Sequence, residues 1–345
     1  MNIGIDISQI VYGTGVSWYT RNLVENLLRI KSGDKYLLFG GSLRRLGDLR
    51  RAFKEFKGNF TGKYFPIPPT LTDFIWNKHH VLPIELLVGK MDVFHSSDWA
   101  QPPSKAYKVT TIHDLTPIIF PDQTDLKVRE AHKRRLGWVK KEVDKVIAVS
   151  NATKKDIVNY LGIPGDKITV IYEAPDPIYK KSPENEIESI KRKYNITGDY
   201  VLSVGTAPRK NLGRISRAVE DIGGLKHVVV GQGAVKPNNT ELAALYSGAE
   251  ALAYASLYEG FGLPILEAYS CGCPVVTSNV SSMPEIAGDG AVLIDPDSVE
   301  SIAEGIIKAI GNRHGLIEKG NLRLKDFSWE KTARQTLDVY GEAGK

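Results

Sequence analysis

The chain reads as an α/β protein made of two doubly wound parallel sheets, and three observations lead there. Short apolar, β-branched runs alternate with helical patterns from end to end, the rhythm of buried parallel strands joined by crossover helices. At 345 residues there is room for two ordinary domains, each with its own core. A proline-rich stretch, Glu173-Ala174-Pro175-Asp176-Pro177 running on to Ser182-Pro183, follows an apolar strand and precedes a charged helix, and so marks the boundary.

Taken in order, the first half offers strands at Ile3–Ile7, Tyr36–Phe39, Val93–His95, Val109–Ile112, Val146–Val149 and Ile168–Ile171. Helical periodicity fills Val16–Ile30, Thr72–Leu87, Leu126–Lys145 and Ala152–Leu161 between them. Strands of the second half are expected at Tyr200–Val204, His227–Val230, Ala251–Ala255, Pro274–Ser278 and Ala291–Ile294. Two such sheets facing each other would leave a cleft into which strand C-termini point, where open α/β sheets bind ligands.

Apolar residues at 42% and charged residues at 25% describe an ordinary globular composition. No apolar run reaches the ~20 residues that span a bilayer. The N-terminus, MNIGIDISQI, reads as a first strand rather than a signal peptide, so a cytoplasmic location is expected. Cys271 and Cys273 sit too close for a comfortable disulfide and read as reduced packing residues. The net charge of +5 is uneven: residues 1–180 hold 27 Lys+Arg against 19 Asp+Glu. Arg44, Arg45, Arg50, Arg51, Lys54, Lys57 and Lys63, interleaved with Leu46, Leu49, Phe53 and Phe56, suit either a solvated helix or peripheral contact with the anionic inner face of a membrane. Nucleic acid is not expected, because no binding module accompanies the charge.

The most informative stretch is SLYEGFGLPILEAYSCGCPVVTSNVSSMPE, residues 256–285. Glu259 and Glu267 flank a turn, Gly260-Phe261-Gly262-Leu263-Pro264, that opens a helix with proline where its missing N–H does no harm. One carboxylate therefore precedes a helix N-terminus and the other lies a turn inside it, with backbone amides between. A sugar nucleotide offers hydroxyls to the carboxylates and an anion to the amides. Two solvated helix-face charges would share the same spacing.

A second motif, Gly205-Thr206-Ala207-Pro208-Arg209-Lys210-Asn211, sits where a strand hands over to a helix, with Asn211 as the expected N-cap. Two cations against the positive end of a helix dipole suggest that an anion sits between them. A diphosphate fits, with Arg209 bidentate and Lys210 a point charge. Gly13-Thr14-Gly15 could likewise bring backbone close to an anion, or simply make a tight turn. His113, at the end of its strand, could be a ligand-facing or a structural residue. No metal site is expected: Asp295-Pro296-Asp297 reads as a turn and N-cap, and the seven histidines lack ligand spacing.

TIHDLTPIIFPD, AVSNATKKDIVNYLGIPGDKITVIYEAPDP, YVLSVGTAPRKNLGRISRAV, ELAALYSGAEALAYASLYEGFGLPILEAYSCGCPVVTSNVSSMPEIAG and FSWEKTARQTLDVY occur in that order. The chain thereby resembles the retaining, nucleotide-sugar-dependent glycosyltransferases of family 4, nearest in pattern to bacterial mannosyltransferases. That resemblance implies the GT-B fold: an acceptor-side domain over 1–174, a donor domain over 175–328, and a last helix over 329–345 crossing back to the first. It implies metal-independent transfer of a hexose, mannose or glucose, from a GDP- or UDP-sugar to a glycan or lipid-linked acceptor in cell-surface polysaccharide synthesis. His113, Arg209, Lys210 and Glu259 would serve catalysis. Gly15, Arg209, Lys210, Glu259, Gly260, Phe261, Gly262 and Glu267 would hold the donor, with Glu259 on the sugar and Glu267 on the ribose. No β-face nucleophile is evident, in keeping with the front-face mechanism proposed for the family.

The pattern is broken in one place. Little more than Gln232-Gly233-Ala234-Val235-Lys236-Pro237-Asn238-Asn239 follows strand His227–Val230, where the family runs through a further helix and strand. The second sheet is then one strand short near the base pocket, which leaves GDP and UDP both open. A non-catalytic or differently specialised nucleotide-sugar-binding protein of the same fold is the alternative; an epimerase would need acid and base residues that nothing here matches.

Overall fold

The computed structural model describes residues 1–30 and 32–344. They fall into two compact units, Met1–Glu173 with Trp329–Lys345, and Ala174–Ser328.

The first unit is a seven-stranded parallel sheet. Its strands are β1 (Asn2–Asp6), β2 (Lys35–Gly41), β3 (Phe60–Phe65), β4 (Val93–Ser96), β5 (Tyr107–Ile112), β6 (Lys145–Ala148) and β7 (Ile168–Val170), in spatial order β3-β2-β1-β4-β5-β6-β7. Wholly buried runs such as Val93–Ser96 explain the continuous apolar segments of the sequence. The edge strand β3 was not anticipated, because FTGKYF faces solvent at its central positions and carries Gly62 and Lys63. Gly62 is required there: a Cβ would lie 2.5 Å from the Phe53 ring.

One expectation fails in this unit. The single helix expected over Thr72–Leu87 is broken into short turns at Pro69–Thr72, Asp73–Lys78 and Glu85–Val88. His80 and Leu82 adopt positive φ of 53° and 65°, and Pro83 follows, so no helix can run through. The basic helix Leu46–Glu55 turns its main apolar residues inward. Leu49, Phe53 and Phe56 are buried, so that stripe is spent on the protein's own core. No helix among the described residues is long and apolar enough to cross a membrane.

The terminal helix Trp329–Tyr340 packs within this first unit. Tyr340 hydroxyl lies 2.7 Å from His95 Nδ1, Thr332 Oγ1 donates to Tyr172 O at 2.7 Å, and Trp329 meets Tyr19 edge to face. His95 also contacts Thr111 Oγ1 at 3.0 Å. Burial, helped by the charges of His113 and Arg135, holds His95 down at about 3, so it is a neutral imidazole at physiological pH.

The second unit is a five-stranded parallel sheet of β8 (Tyr200–Val204), β9 (Lys226–Val230), β10 (Ala251–Tyr254), β11 (Val275–Ser278) and β12 (Ala291–Ile294), ordered β12-β11-β10-β8-β9. Its core joins Val201, Ala253 and Val276 to Ile215 and Val219 of helix Leu212–Ile222 and to Ile302 and Ile306 of helix Val299–Gly311. From β9 the chain passes through a loop directly into helix Asn239–Ser247, which opens with a capping box between Asn238 and Glu241. With no strand in that interval, β9 forms the sheet edge. Cys271 and Cys273 are free and buried.

Both sheets reverse strand order once: between β1 and β4 in the first, and between β8 and β10 in the second. The crevice outside the carboxyl ends at such a switch point is where open α/β sheets take ligands. Each unit therefore has one topologically favoured position.

Candidate functional site

At the switch point of the second unit, two loops carry the candidate residues. The loop after β8 turns at Gly205, whose φ is +90°, and passes through a single turn at Pro208–Lys210. A Cβ on Gly205 would come within 3.0 Å of Lys210 Cε, so glycine is what allows the lysine to lie across the strand end. Lys210 Nζ donates to Glu259 Oε1 at 2.6 Å and to the Tyr254 hydroxyl at 2.8 Å, and sits 4.5 Å above the Tyr254 ring. Both charged side chains are largely buried, 13% and 10% exposed, so the pair is only weakly screened.

This arrangement corrects part of the electrostatic argument from sequence. Lys210 is not a bare cation opposing a helix dipole, because Glu259 neutralises it within the fold. Asn211 also departs from expectation. It stands at the N-cap position in the left-handed region, φ 60°, but makes no side-chain capping bond. Its Nδ2 instead donates to Ala255 O at 3.1 Å and Pro296 O at 2.6 Å, tying the loop to two strand ends. Leu257 N donates to Arg209 O at 2.8 Å, which fixes the Arg209-Lys210 turn against the Glu259 loop.

The Glu259 loop is held from below. Ser282 Oγ donates to Glu259 O at 3.0 Å and to Phe261 O at 2.7 Å, while Ser281 Oγ donates to Glu259 O at 2.6 Å. Gly262 then adopts φ 111° and opens helix Leu263–Ser270, with Pro264 in its first turn. Inside that helix Glu267 Oε2 accepts from the Tyr246 hydroxyl at 2.8 Å, and Tyr179 gives a further side-chain hydrogen bond. Burial outweighs these bonds and the Lys210 charge, and raises the Glu267 carboxyl to about 7. Burial and then the charge of Glu259 push the Tyr254 hydroxyl well above its ordinary value, so it stays protonated. The unit thus places Arg209, Lys210, Glu259, Gly260, Phe261, Gly262 and Glu267 on two adjoining loops and one helix.

Gly15 and His113 belong to the first unit, at the carboxyl edge of its sheet. Gly15 opens helix Gly15–Arg29 behind the N-cap Thr14, which forms a capping box with Ser17. His113 follows β5, with Tyr19 of that helix edge-on at 4.6 Å. Its Nδ1 lies 2.8 Å from Glu173 Oε1, and the two side chains are 12% and 5% exposed. Burial alone would lower the His113 pKa. The hydrogen bond and charge of Glu173, reinforced by Asp98 and Asp114, overcome it and raise the value. Glu173 was read from sequence only as the start of the proline-rich boundary; nothing in its spacing pointed to His113, sixty residues earlier.

Beneath this edge runs a buried ionic network. Arg135 donates to Ser97 O at 3.0 Å, Asp98 Oδ1 at 3.1 Å and Thr110 Oγ1 at 2.7 Å. No cluster of three or more His, Cys, Asp or Glu that could hold a metal occurs among the described residues.

The family models agree with this architecture. Residues 13–177 match the model "Glycosyltransferase Family 4" and residues 235–324 match "Glycosyl transferases group 1". The O-antigen chain mannosyltransferase B of Escherichia coli is 28% identical over 287 residues, covering 72% of this chain and 74% of that protein. The serotype-specific mannosyltransferase WbdA of Escherichia coli is 26% identical over 277 residues, 67% of this chain but only 33% of that larger protein. Among solved structures, Anabaena HepE, crystallised with UDP-glucose, superposes with a TM-score of 0.69 at 16% identity, covering 99% of this chain and all of the other. The two Rossmann-like parallel sheets share the GT-B fold of solved glycosyltransferases. Both models are of glycosyltransferases, and the chain is a glycosyltransferase similar over residues 13–177 to family 4.

Proposed function

We propose that the second unit binds a nucleoside-diphosphate hexose, and that the enzyme transfers the hexose, mannose in the first instance, with retention of configuration to a growing bacterial cell-surface glycan. The observation that carries this reading is the Lys210–Glu259 pair, 2.6 Å apart at the switch point and backed by Tyr254. An arriving diphosphate would draw Lys210 and Arg209 onto its oxygens and release Glu259 to accept hydrogen bonds from sugar hydroxyls. Glu267, held by two tyrosines, would receive ribose hydroxyls, with the amides of Gly260, Phe261 and Gly262 between the two carboxylates. His113 and Gly15 are assigned to the reacting end on the first unit. Mannose is favoured by the relatives, which are named as mannosyltransferases.

As the bond between the anomeric carbon and the phosphate breaks, negative charge grows on the leaving group. Two cations aimed at it stabilise that charge, and losing one such contact typically costs ~3 kcal/mol. The departing phosphate itself can take the proton of the acceptor hydroxyl, so no further base is needed. A thermal-shift panel of GDP-, UDP- and ADP-sugars in EDTA tests this. One donor should raise the melting temperature by mass action, with ~2.7 kcal/mol of stabilisation at a hundredfold excess over Kd, and its sugar should then be transferred without metal. If none of the donors stabilises the chain, the donor site is refuted; if transfer stops in EDTA, metal independence is.

A further inference from the structure

The first unit carries, beside the loop that follows β4, a cavity that none of the assigned residues uses. It encloses about 520 Å³, within the ~300–1,000 Å³ range of small-molecule sites. It is lined by Trp99, Asp73 and Arg134 together with Pro69, Leu126 and Val128. Trp99 follows β4 and stacks on Tyr12, which follows β1, with centroids 4.6 Å apart and planes at 22°. The aromatic pair therefore links the segments that follow the two strands between which the sheet order reverses, next to the position the fold favours for a ligand. The indole nevertheless stays 37% exposed.

The polar side of the cavity is equally fixed. Arg134 clamps Asp73 through Nη2 at 2.5 Å and Nε at 3.3 Å, a bidentate fork. Asn77, 2% exposed, organises both walls: its Nδ2 donates to Asp73 Oδ1 at 3.1 Å and to Trp99 O at 2.9 Å. Its Oδ1 accepts from Gln101 N at 3.0 Å, and its carbonyl accepts from Trp138 Nε1 at 2.8 Å. A buried asparagine with its amide occupied on both ends thus holds an aromatic platform and a carboxylate–guanidinium fork at a set spacing.

We propose that this cavity binds a neutral saccharide, the non-reducing portion of the glycan acceptor, with a pyranose face stacked on Trp99 and its hydroxyls hydrogen-bonded to Asp73 and Arg134. The proposal rests on the glycosyltransferase reading above and gives it an acceptor subsite. A pyranose presents C–H bonds of partial positive charge to the negative face of an indole, and hydroxyls that both donate and accept, as the fork requires. An alkyl chain would satisfy Trp99, Leu126 and Val128 but strip water from Asp73 and Arg134 without replacing its hydrogen bonds. Lys127 and Glu130 complete a balanced set of charges on the lining, so an anionic head group gains no net attraction.

The test uses the full chain. Tryptophan fluorescence is followed during titration with mannose, glucose and galactose trisaccharides, and separately with decanoate, while calorimetry with GDP- and UDP-sugars is run on the same protein. At least one trisaccharide should give a saturable change that Trp99→Phe abolishes, and Asp73→Asn should weaken its binding at least tenfold while donor affinity holds. A response to decanoate alone overturns the proposal, as does the absence of any saccharide response while donor binding is intact. If donors fail to bind as well, the underlying glycosyltransferase reading falls with it. Should Trp99→Phe or Asp73→Asn misfold, Arg134→Gln at the rim reads the same fork.

Discussion

Replacing Glu173 with glutamine removes one charge from the wall around His113 and little else. In the native fold His113 Nδ1 and Glu173 Oε1 are 2.8 Å apart, and Asp98 and Asp114 add negative potential, while neighbouring Tyr19 and neutral His95 carry no charge of their own. Because the folded pKa of His113 is raised, the pair contributes stability that is complete below the unfolded value of ~6.5 and is lost as pH rises through the folded value. A hydrogen bond to a charged group is worth ~1.5–3 kcal/mol. Glu173→Gln should therefore cost about that much at pH 6, and clearly less at pH 9, where the imidazole is neutral in both proteins. Without the carboxylate, burial dominates and His113 should titrate below its ordinary value. If the imidazolium serves transfer, the same energy appears as a roughly 10- to 100-fold loss of kcat at neutral pH, recovered toward acid pH, with donor KM little changed. Chemical denaturation at the two pH values, an NMR titration of the His113 ring and a kcat–pH profile measure these effects. A His113 titration indistinguishable between the two proteins would refute the reasoning.

Three further perturbations follow from the second unit. Lys210→Met strands a largely buried carboxylate and should destabilise the fold by ~3 kcal/mol; Lys210→Met with Glu259→Gln should restore stability by denaturation but not donor binding by calorimetry, and restored binding would take the diphosphate away from Lys210. Glu267 titrates at about 7 against an ordinary 4.5, so the folded state holds its proton more tightly and loses up to ~3 kcal/mol of stability as pH rises from 4.5 through 7; Glu267→Gln should flatten that part of the stability–pH curve, and an unchanged slope speaks against the raised value. Gly205→Ala forces a β-carbon onto a backbone at φ +90° and toward Lys210; a loss of ~1–3 kcal/mol, together with weaker donor binding, is expected in thermal melts and calorimetry, and a neutral result would show that the loop adapts.

The strand–helix alternation carried the fold because parallel strands covered on both faces must be apolar throughout, and eleven of the twelve strands are visible as such runs. The exception, β3, is an edge strand whose central residues face water, and an edge of that kind has no apolar signature. The broken helix over 72–87 has the opposite cause. Its apolar spacing is real, but Trp76, Ile84 and Val88 reach one core from separate short turns rather than from one helix face. The basic helix Leu46–Glu55 shows how an amphipathic pattern leaves its partner undefined, since a stripe made for the protein's own sheet looks the same as one made for a membrane.

For the site, local sequence was enough to mark the turns that carry Arg209, Lys210, Glu259 and Glu267, because glycine and proline punctuate loops at fixed offsets from their strands. It could not show what those side chains touch. The 2.6 Å pairing of Lys210 with Glu259 joins residues forty-nine apart, and Asn211 spends its amide on strands rather than on its own helix. Glu173 reaches His113, and Asn77 reaches Trp99, only because the fold brings separate segments of the chain together. By itself the sequence determined the α/β class and the glycosyltransferase resemblance, which rest on local patterns and motifs, and the two-unit size, which rests on length. The partners of each charge, and with them every shifted pKa, were decided by the tertiary structure, because burial and contact are set by residues far apart in the chain.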